Sequence, residues 1–249
     1  IMHVTGEQDG APVKVGLPQT DLITAMWAAF GISSSLYRRE QTGSGEYIDL
    51  GMLDAAIPWL TKQAGKVFAG EETGRMGTKD PVLAPYQTFE TADGYLNVAC
   101  LNKKLWTLFC EATERPDLLE DDRFETNADR VDHMDELEAE IERTLTEKTT
   151  DEWMQLLVED AGIPAGPVHT VEDALYNEQV EARGVLTELE HDEHGEVPVI
   201  EHPLKYRNAD SGFEAPAPAL GEHTDDVLRA MGYSDEKIES LRDEGAFGS

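Results

Sequence analysis

Residues 15–50 read VGLPQTDLITAMWAAFGISSSLYRREQTGSGEYIDL, and from Asp21 to Arg39 the only acid is the first residue. Behind it, Leu22, Ile23, Met26, Trp27, Phe30 and Leu36 recur at helical spacing, which predicts a helix from Thr20 or Asp21 to about Arg39. Ala25, Ala28, Ala29 and Gly31 leave room for a close neighbour, and Arg38 and Arg39 suit the negative C-terminal end of the dipole. Gly43-Ser44-Gly45 then predicts a turn, Tyr47–Leu50 a short strand, and Met52–Phe68 a second helix kinked at Pro58. Helix, turn, strand and helix in succession are the rhythm of an α/β fold.

Gly and Pro crowd residues 70–85 (GEETGRMGTKDPVLAP) and mark a boundary. Beyond it, Tyr86–Glu90 and Tyr95–Cys100 flank Ala92-Asp93-Gly94 as a hairpin. Helical patterns follow at Lys103–Thr113, Val131–Thr146 and Thr150–Ala161, the last with Thr150 as its cap. GIPAGPV (162–168) reads as a structured loop, and Val171–Glu178 as a further helix. Residues 184–206 alternate as strands around a turn at Asp192–Gly195, and a Pro-rich connector leads to a helix capped by Thr224.

With 40% hydrophobic residues this is a globular composition, and no apolar run approaches the roughly 20 residues that span a bilayer. No basic-then-apolar leader opens the chain, so a cytoplasmic protein is expected. Ile1 and the mid-domain character of IMHVTGEQDG point to the later part of a longer protein, or one subunit of a split one. Cys100 and Cys110 lack both a disulfide framework and metal-ligand spacing. The 51 acids against 20 bases give a net charge of −31, spread over the whole chain. Such a field repels phosphate backbones and anionic membranes, so neither nucleic acid nor membrane is an expected partner. It is the pattern of a halophilic protein, soluble where salt screens its self-repulsion.

Local physics leaves two readings of Asp21: a helix cap, or a carboxylate kept ionised by the helix dipole and available as a nucleophile. His191 and His194 sit in a turn, where a solvated hairpin tip is favoured over a metal pair, and no metal is expected. His223 precedes a helix start, and His169 follows the GIPAGPV loop. Nothing matches a phosphate-binding or dinucleotide-binding fingerprint.

The ordered set of segments resembles the family III CoA-transferases. VGLPQTDLITAMWAAFGISSSLYRREQTGSGEYIDLGMLDA is similar to the family's nucleophile segment with its TGxGxxID turn. RMGTKDPVLAPYQTFETADGYLNVA, NKKLW, RFETNADRVDH, GIPAGPV and LGEHTDDVL follow in the family's order. The resemblance covers nearly the whole chain. It implies an α/β fold: part of a Rossmann-like large domain (residues 1–69), a small α+β domain (76–168), a linker (169–198) and a return to the large domain (199–249). The family's N-terminal half, with most of the Rossmann-like sheet and much of the CoA pocket, has no counterpart here. Asp21 takes the place of the catalytic aspartate. Gly77, Thr78, Lys79 and Asp80 take the place of a mobile loop over the active site, without the run of glycines some members carry there. Lys79 then either attracts an anionic substrate or is an ordinary exposed lysine.

The implied activity moves CoA between an acyl-CoA and a free carboxylic acid through an aspartyl-CoA thioester, with CoA thioesters as substrates and no other cofactor. The implied assembly is an interlocked homodimer, or a complex with the missing half. Related α-methylacyl-CoA racemases offer an alternative activity. The resemblance, however, aligns Asn102 with one of their acid/base glutamates, and an amide cannot shuttle a proton. A third reading is a non-catalytic subunit of a split transferase. On the charge argument, thermal stability should rise from low to multimolar KCl; a flat or falling profile would contradict the halophilic reading.

Overall fold

The computed structural model describes residues 1–191, 194–209 and 212–247, and divides them into two compact units, residues 1–168 and 169–249. Helix and sheet are mixed, in keeping with the α/β reading. Asp192 and Glu193, half of the turn expected at Asp192–Gly195, lie outside the described residues.

The first unit opens with α1 (Gln19–Thr42), which starts one or two residues earlier than expected and closes on Gly43 in the left-handed region at φ 70°. The second helical segment is broken, as Pro58 requires. It runs as α2 (Met52–Ala56), a 3-10 turn (Ile57–Leu60) and α3 (Thr61–Phe68). The strand expected at Tyr47–Leu50 does not form: a strand exists only by pairing, and among the described residues nothing pairs with it.

Strands β1 (Tyr86–Glu90) and β2 (Tyr95–Ala99) form the expected hairpin, with Tyr86 opposite Ala99 and Glu90 opposite Tyr95. A third strand, β3 (Ala165–Pro167), pairs antiparallel with β2, so the GIPAGPV segment is partly ladder where the sequence reads as loop. Helices α4 (Lys103–Ala112), α5 (Asp117–Glu120), α6 (Asn127–Asp132), α7 (Met134–Leu145) and α8 (Thr150–Trp153) surround the hairpin. The single helix expected at Val131–Thr146 divides at His133 into α6 and α7. Thr149, not Thr150, caps α8. Thr150 is instead spent on the hairpin turn: Asp93 accepts its backbone N–H at 2.8 Å and its hydroxyl at 2.9 Å. Beyond Trp153 the helix widens into a π-helix (Met154–Asp160).

One core lies within residues 84–163. Phe89, Leu96 and Val98 come from the sheet, Cys100 from just beyond β2, Trp106, Phe109 and Cys110 from α4, and Trp153 and Leu157 from the α8–π-helix segment. Met134, Leu137, Ile141 and Leu145 form the buried stripe of α7 at steps of three and four. Each such aliphatic side chain contributes roughly 1.5–3 kcal/mol when removed from water.

Arg130 is 2% exposed inside this core. Its Nε donates to the Ala84 carbonyl at 2.6 Å and a terminal nitrogen to the Phe124 carbonyl at 3.0 Å, while the guanidinium lies 5.0 Å from the Trp106 ring centroid. Among the described residues no carboxylate pairs with it, and burial pulls its pKa down from the ordinary arginine value. It therefore acts as a cross-link between two loops, both of whose carbonyls would otherwise be buried and unpaired.

The second unit holds α9 (Val171–Leu175) and α10 (Glu178–Ala182), where one helix was expected, and the antiparallel pair β4 (Leu186–His191) and β5 (Gly195–Ile200). It ends with α11 (Thr224–Ala230) and α12 (Asp235–Asp243). Thr224 is the first residue of α11 and not its cap; His223 holds the cap position without a side-chain bond. Arg130→Ala is expected to lower the unfolding free energy by about 2–4 kcal/mol, because it opens a cavity and orphans two carbonyls. Urea denaturation checks this, and a loss below about 0.5 kcal/mol, the range of ordinary surface changes, would rule out the clamp.

Candidate active site

Asp21 is the third residue of α1, the position from which an acid commonly reaches back to close a capping box. Among the described residues three acids do so, whereas Asp54, Glu136 and Asp226 hold the same position of α2, α7 and α11 without such a bond. Asp129 accepts the Thr126 N–H at 3.0 Å, Glu152 that of Thr149 at 2.9 Å, and Asp173 that of Thr170 at 3.3 Å. Bonds from the capping threonines hold all three carboxyls below the usual range. Ahead of Asp21 the cap position belongs to Pro18, which has no N–H to offer and no side-chain acceptor for the helix. Asp21 is exposed and has no hydrogen-bond or ion-pair partner among the described residues. The capping reading therefore fails. What remains is an exposed, unpaired carboxylate in the first turn of a 24-residue helix, whose dipole favours the charged form.

The helix that carries this acid is largely uncovered. Ile23 is the only residue of α1 that is buried, and Met26 and Phe30 remain 67% and 65% exposed. With Ile23, Trp27 and Trp59 they line an apolar groove of about 370 Å³. Within residues 1–69, Ile23 and Ala55 alone are fully buried.

The Gly77–Asp80 loop is tied down at every residue. Gly77 has φ 61°, and its N–H donates to the Gly6 carbonyl at 3.0 Å. An added Cβ there would meet the Glu7 carboxylate at 3.0 Å, so both conformation and space favour glycine. The Thr78 hydroxyl accepts the Thr88 N–H at 3.2 Å. Asp80 accepts the N–H groups of Val82 and Leu83 at 2.9 and 3.1 Å and pairs with Lys62. Lys79 is neither exposed nor free for an anion. Its side chain is 13% exposed, and its ammonium contacts Asp135 at 2.6 Å and Glu138 at 2.9 Å on α7. Burial alone would depress its pKa, but the bonds from these two carboxylates outweigh that and raise it.

The other polar residues singled out from the sequence have structural partners or lie apart. Asn102 caps α4, its amide oxygen accepting the Leu105 N–H at 3.0 Å. His191 and His194 stack with ring centroids 4.6 Å apart, and among the described residues no cluster of His, Cys, Asp or Glu is arranged to hold a metal ion. His169 is exposed at the start of the second unit. Cys100 and Cys110 are buried thiols; burial pushes Cys100 up to about 12 and Cys110 higher still, so neither is a nucleophile at neutral pH. Sequence reasoning passed over Arg75, whose only signal is a base between glycines in TGRMG, yet it is half-buried and has no hydrogen-bond or ion-pair partner among the described residues.

Replacing Lys79 by Met should cost about 1–2 kcal/mol, because it breaks two charged hydrogen bonds to partly exposed acids. Because the lysine's pKa is raised by folding, this contribution is complete below its ordinary value of 10.5 and fades as pH climbs through the raised one. An unchanged denaturation midpoint would return Lys79 to the list of substrate contacts.

Comparison with known proteins identifies the family. The model of CoA-transferase family III matches residues 1–224. The chain is 33% identical to succinyl-CoA:glutarate CoA-transferase of Mus musculus over 243 residues, covering 97% of this chain and 56% of that protein. It is 32% identical to succinyl-CoA:mesaconate CoA-transferase of Haloarcula marismortui over 236 residues, covering 93% and 58%. Among solved structures, a CAIB/BAIF family protein from Brucella suis superposes with a TM-score of 0.77 at 32% identity, covering 92% of this chain and 60% of that one. The chain thus spans a little over half the length of the curated relatives it matches. With the match extending over 224 of its 249 residues, the chain belongs to CoA-transferase family III.

Proposed function

We propose that this chain carries the nucleophile of a CoA-transferase, and that the nucleophile is Asp21. The observation that carries the reading is the exposed, unpaired first-turn carboxylate behind a proline, at the position from which Asp129, Glu152 and Asp173 close capping boxes. In the first step a carboxylate oxygen of Asp21 attacks the carbonyl carbon of an acyl-CoA thioester. The C–S bond breaks, giving a mixed anhydride and CoA thiolate. The thiolate then attacks the aspartyl carbonyl, releasing the donor acid as its carboxylate and leaving CoA on Asp21 as a thioester. An incoming carboxylate repeats both steps in reverse, restoring the free Asp21 carboxylate. Each step exchanges one activated acyl bond for another, so the thioester's free energy is retained provided water is kept out.

The dipole of α1 supports the ionised nucleophile, and the backbone N–H groups of Thr20 and Asp21 are donors for the oxyanion formed on attack, that of Gln19 being bonded to the Leu17 carbonyl. Relatives named for succinyl-CoA, glutarate and mesaconate favour small dicarboxylic acids as the free-acid substrates. The racemase alternative is disfavoured because the position it needs as an acid holds Asn102, whose amide is engaged in capping. The uncovered apolar face of α1 supports an assembly in which further polypeptide, from the remainder of a family III fold or a second copy, closes the site. The low charge density of that face, in a chain of net charge −31, fits a surface meant for protein and not for water.

Mass spectrometry of the complete, assembled enzyme incubated with acyl-CoAs tests the chemistry. CoA should appear on the peptide bearing Asp21, and Asp21→Asn should abolish both the adduct and turnover. Turnover that survives the substitution would refute the nucleophile.

A further inference from the structure

Lys79 and Asp80 are adjacent, opposite in charge, and spent in opposite directions. Lys79 turns to α7, where Asp135 and Glu138 receive its ammonium. Asp80 turns to α3 and pairs with Lys62. The sheltered ends of these pairs belong to the loop: the Asp80 and Lys79 side chains are 10% and 13% exposed, against 51% for Lys62 and 76% for Asp135.

The two carboxylates divide their work between their oxygens. Asp80 Oδ1 accepts the N–H groups of Val82 and Leu83, which leaves Oδ2 for Lys62. Glu138 Oε1 accepts the Gln87 amide at 2.7 Å, which leaves Oε2 for Lys79. The loop is also fastened to β1, where the Asp80 N–H donates to the Tyr86 carbonyl at 2.9 Å. Loop and core thus form one body, and Lys62 is what that body grips on its other side.

Little else joins the two sides. Among the described residues, three contacts of hydrogen-bond, ion-pair or ring type link residues 1–69 to residues 76–168: Gly77 N–H to the Gly6 carbonyl, Lys62 to Asp80, and the Lys62 ammonium 5.8 Å from the Tyr86 ring centroid. Lys62 makes two of the three. Beside them α3 and α6 face each other across a cleft of about 530 Å³, with Lys62, Gly65 and Lys66 on one wall and Asn127, Ala128 and Val131 on the other. The covalent connection turns at Gly70, φ 81°, and a glycine turn does not by itself fix the angle between two walls. On the nucleophile side the path is continuous. Helix α3 follows α2 through the 3-10 turn without a break, and α2 packs against α1, the helix that Asp21 heads.

We propose that Lys62 and Asp80 are positioning residues: their pair holds the α1–α3 segment, and with it the Asp21 carboxylate, at a fixed angle to the core of residues 84–163. This rests on the CoA-transfer reading of Asp21. The loop that carries Asp80 is then a clasp and not a lid, because swinging it out would release α3. Carboxylate attack needs near-contact geometry, and a displacement of about 1 Å caused far from the reacting atoms costs up to roughly 100-fold in rate.

The test uses the complete, assembled enzyme with Lys62→Met, Asp80→Asn, the two combined, and Lys62→Arg. Asparagine keeps the oxygen that Val82 and Leu83 need and removes the charge that Lys62 needs. The readout is the rate at which Asp21 takes CoA from a saturating acyl-CoA, with the melting temperature measured beside it. Each single substitution should slow loading by roughly 10-fold, with KM for the acyl-CoA little changed. The double variant should be no slower than either single, because one contact is lost in all three. Lys62→Arg should load at close to the parent rate. Parental loading in both single variants would overturn the proposal, as would losses that add in the double. A lower melting temperature with parental loading would reduce the pair to a stabilising contact, and faster turnover in the singles would make the loop a lid; either result sinks the clasp. If the parent enzyme never loads Asp21, the transfer reading itself falls, and this inference with it.

Discussion

Proline has no backbone N–H, and at residue 18 that deficit determines what the acid three positions later can do. At the starts of α6, α8 and α9, a threonine and an acid three residues on exchange hydrogen bonds and so consume each other. With Pro18 in the threonine's place the exchange cannot occur. Asp21 keeps its lone pairs while remaining in the favourable field of the helix start. The same substitution of chemistry leaves the start of α1 short of one stabilising interaction, and the helix is sustained instead by its length of 24 residues.

The two parts of the first unit solve the burial problem differently. Residues 84–163 wrap a hairpin with helices, bury five aromatic side chains to within 1% of full enclosure, and cross-link their loops through Arg130. Residues 1–69 have hydrophobic side chains of the same kind but bury almost none of them. The nucleophile candidate thus sits on the part of the chain whose packing is incomplete by itself, next to a groove of tryptophan, phenylalanine and methionine. The Gly77–Asp80 loop is held to both parts, through Lys79 to α7 and through Gly77 and Asp80 to Gly6 and Lys62.

Much of this was legible in the residues themselves. Helix α1, the kink at Pro58, the hairpin around Ala92-Asp93-Gly94 and the buried stripe of α7 follow from periodicity and turn chemistry, both short-range. The errors are of one kind. Thr150 has the right chemistry for a cap but is drawn to Asp93, 57 residues away, leaving the cap to Thr149. Tyr47–Leu50 has strand composition and no strand to pair with. Lys79 looks like a solvated lysine until α7 brings Asp135 and Glu138 against it.

The sequence by itself determined that Asp21 would head an apolar helix behind a proline, and that residues 22–39 behind it would hold no acid in a chain of net charge −31, because both are facts of local order and composition. Only the tertiary structure decided which charges are spent and which are left over. Lys79 is neutralised by acids distant in the chain, whereas Arg75 meets none among the described residues. Pairing energy between charges depends on separation in space and on exclusion of water, and neither quantity is written in the order of residues along a chain.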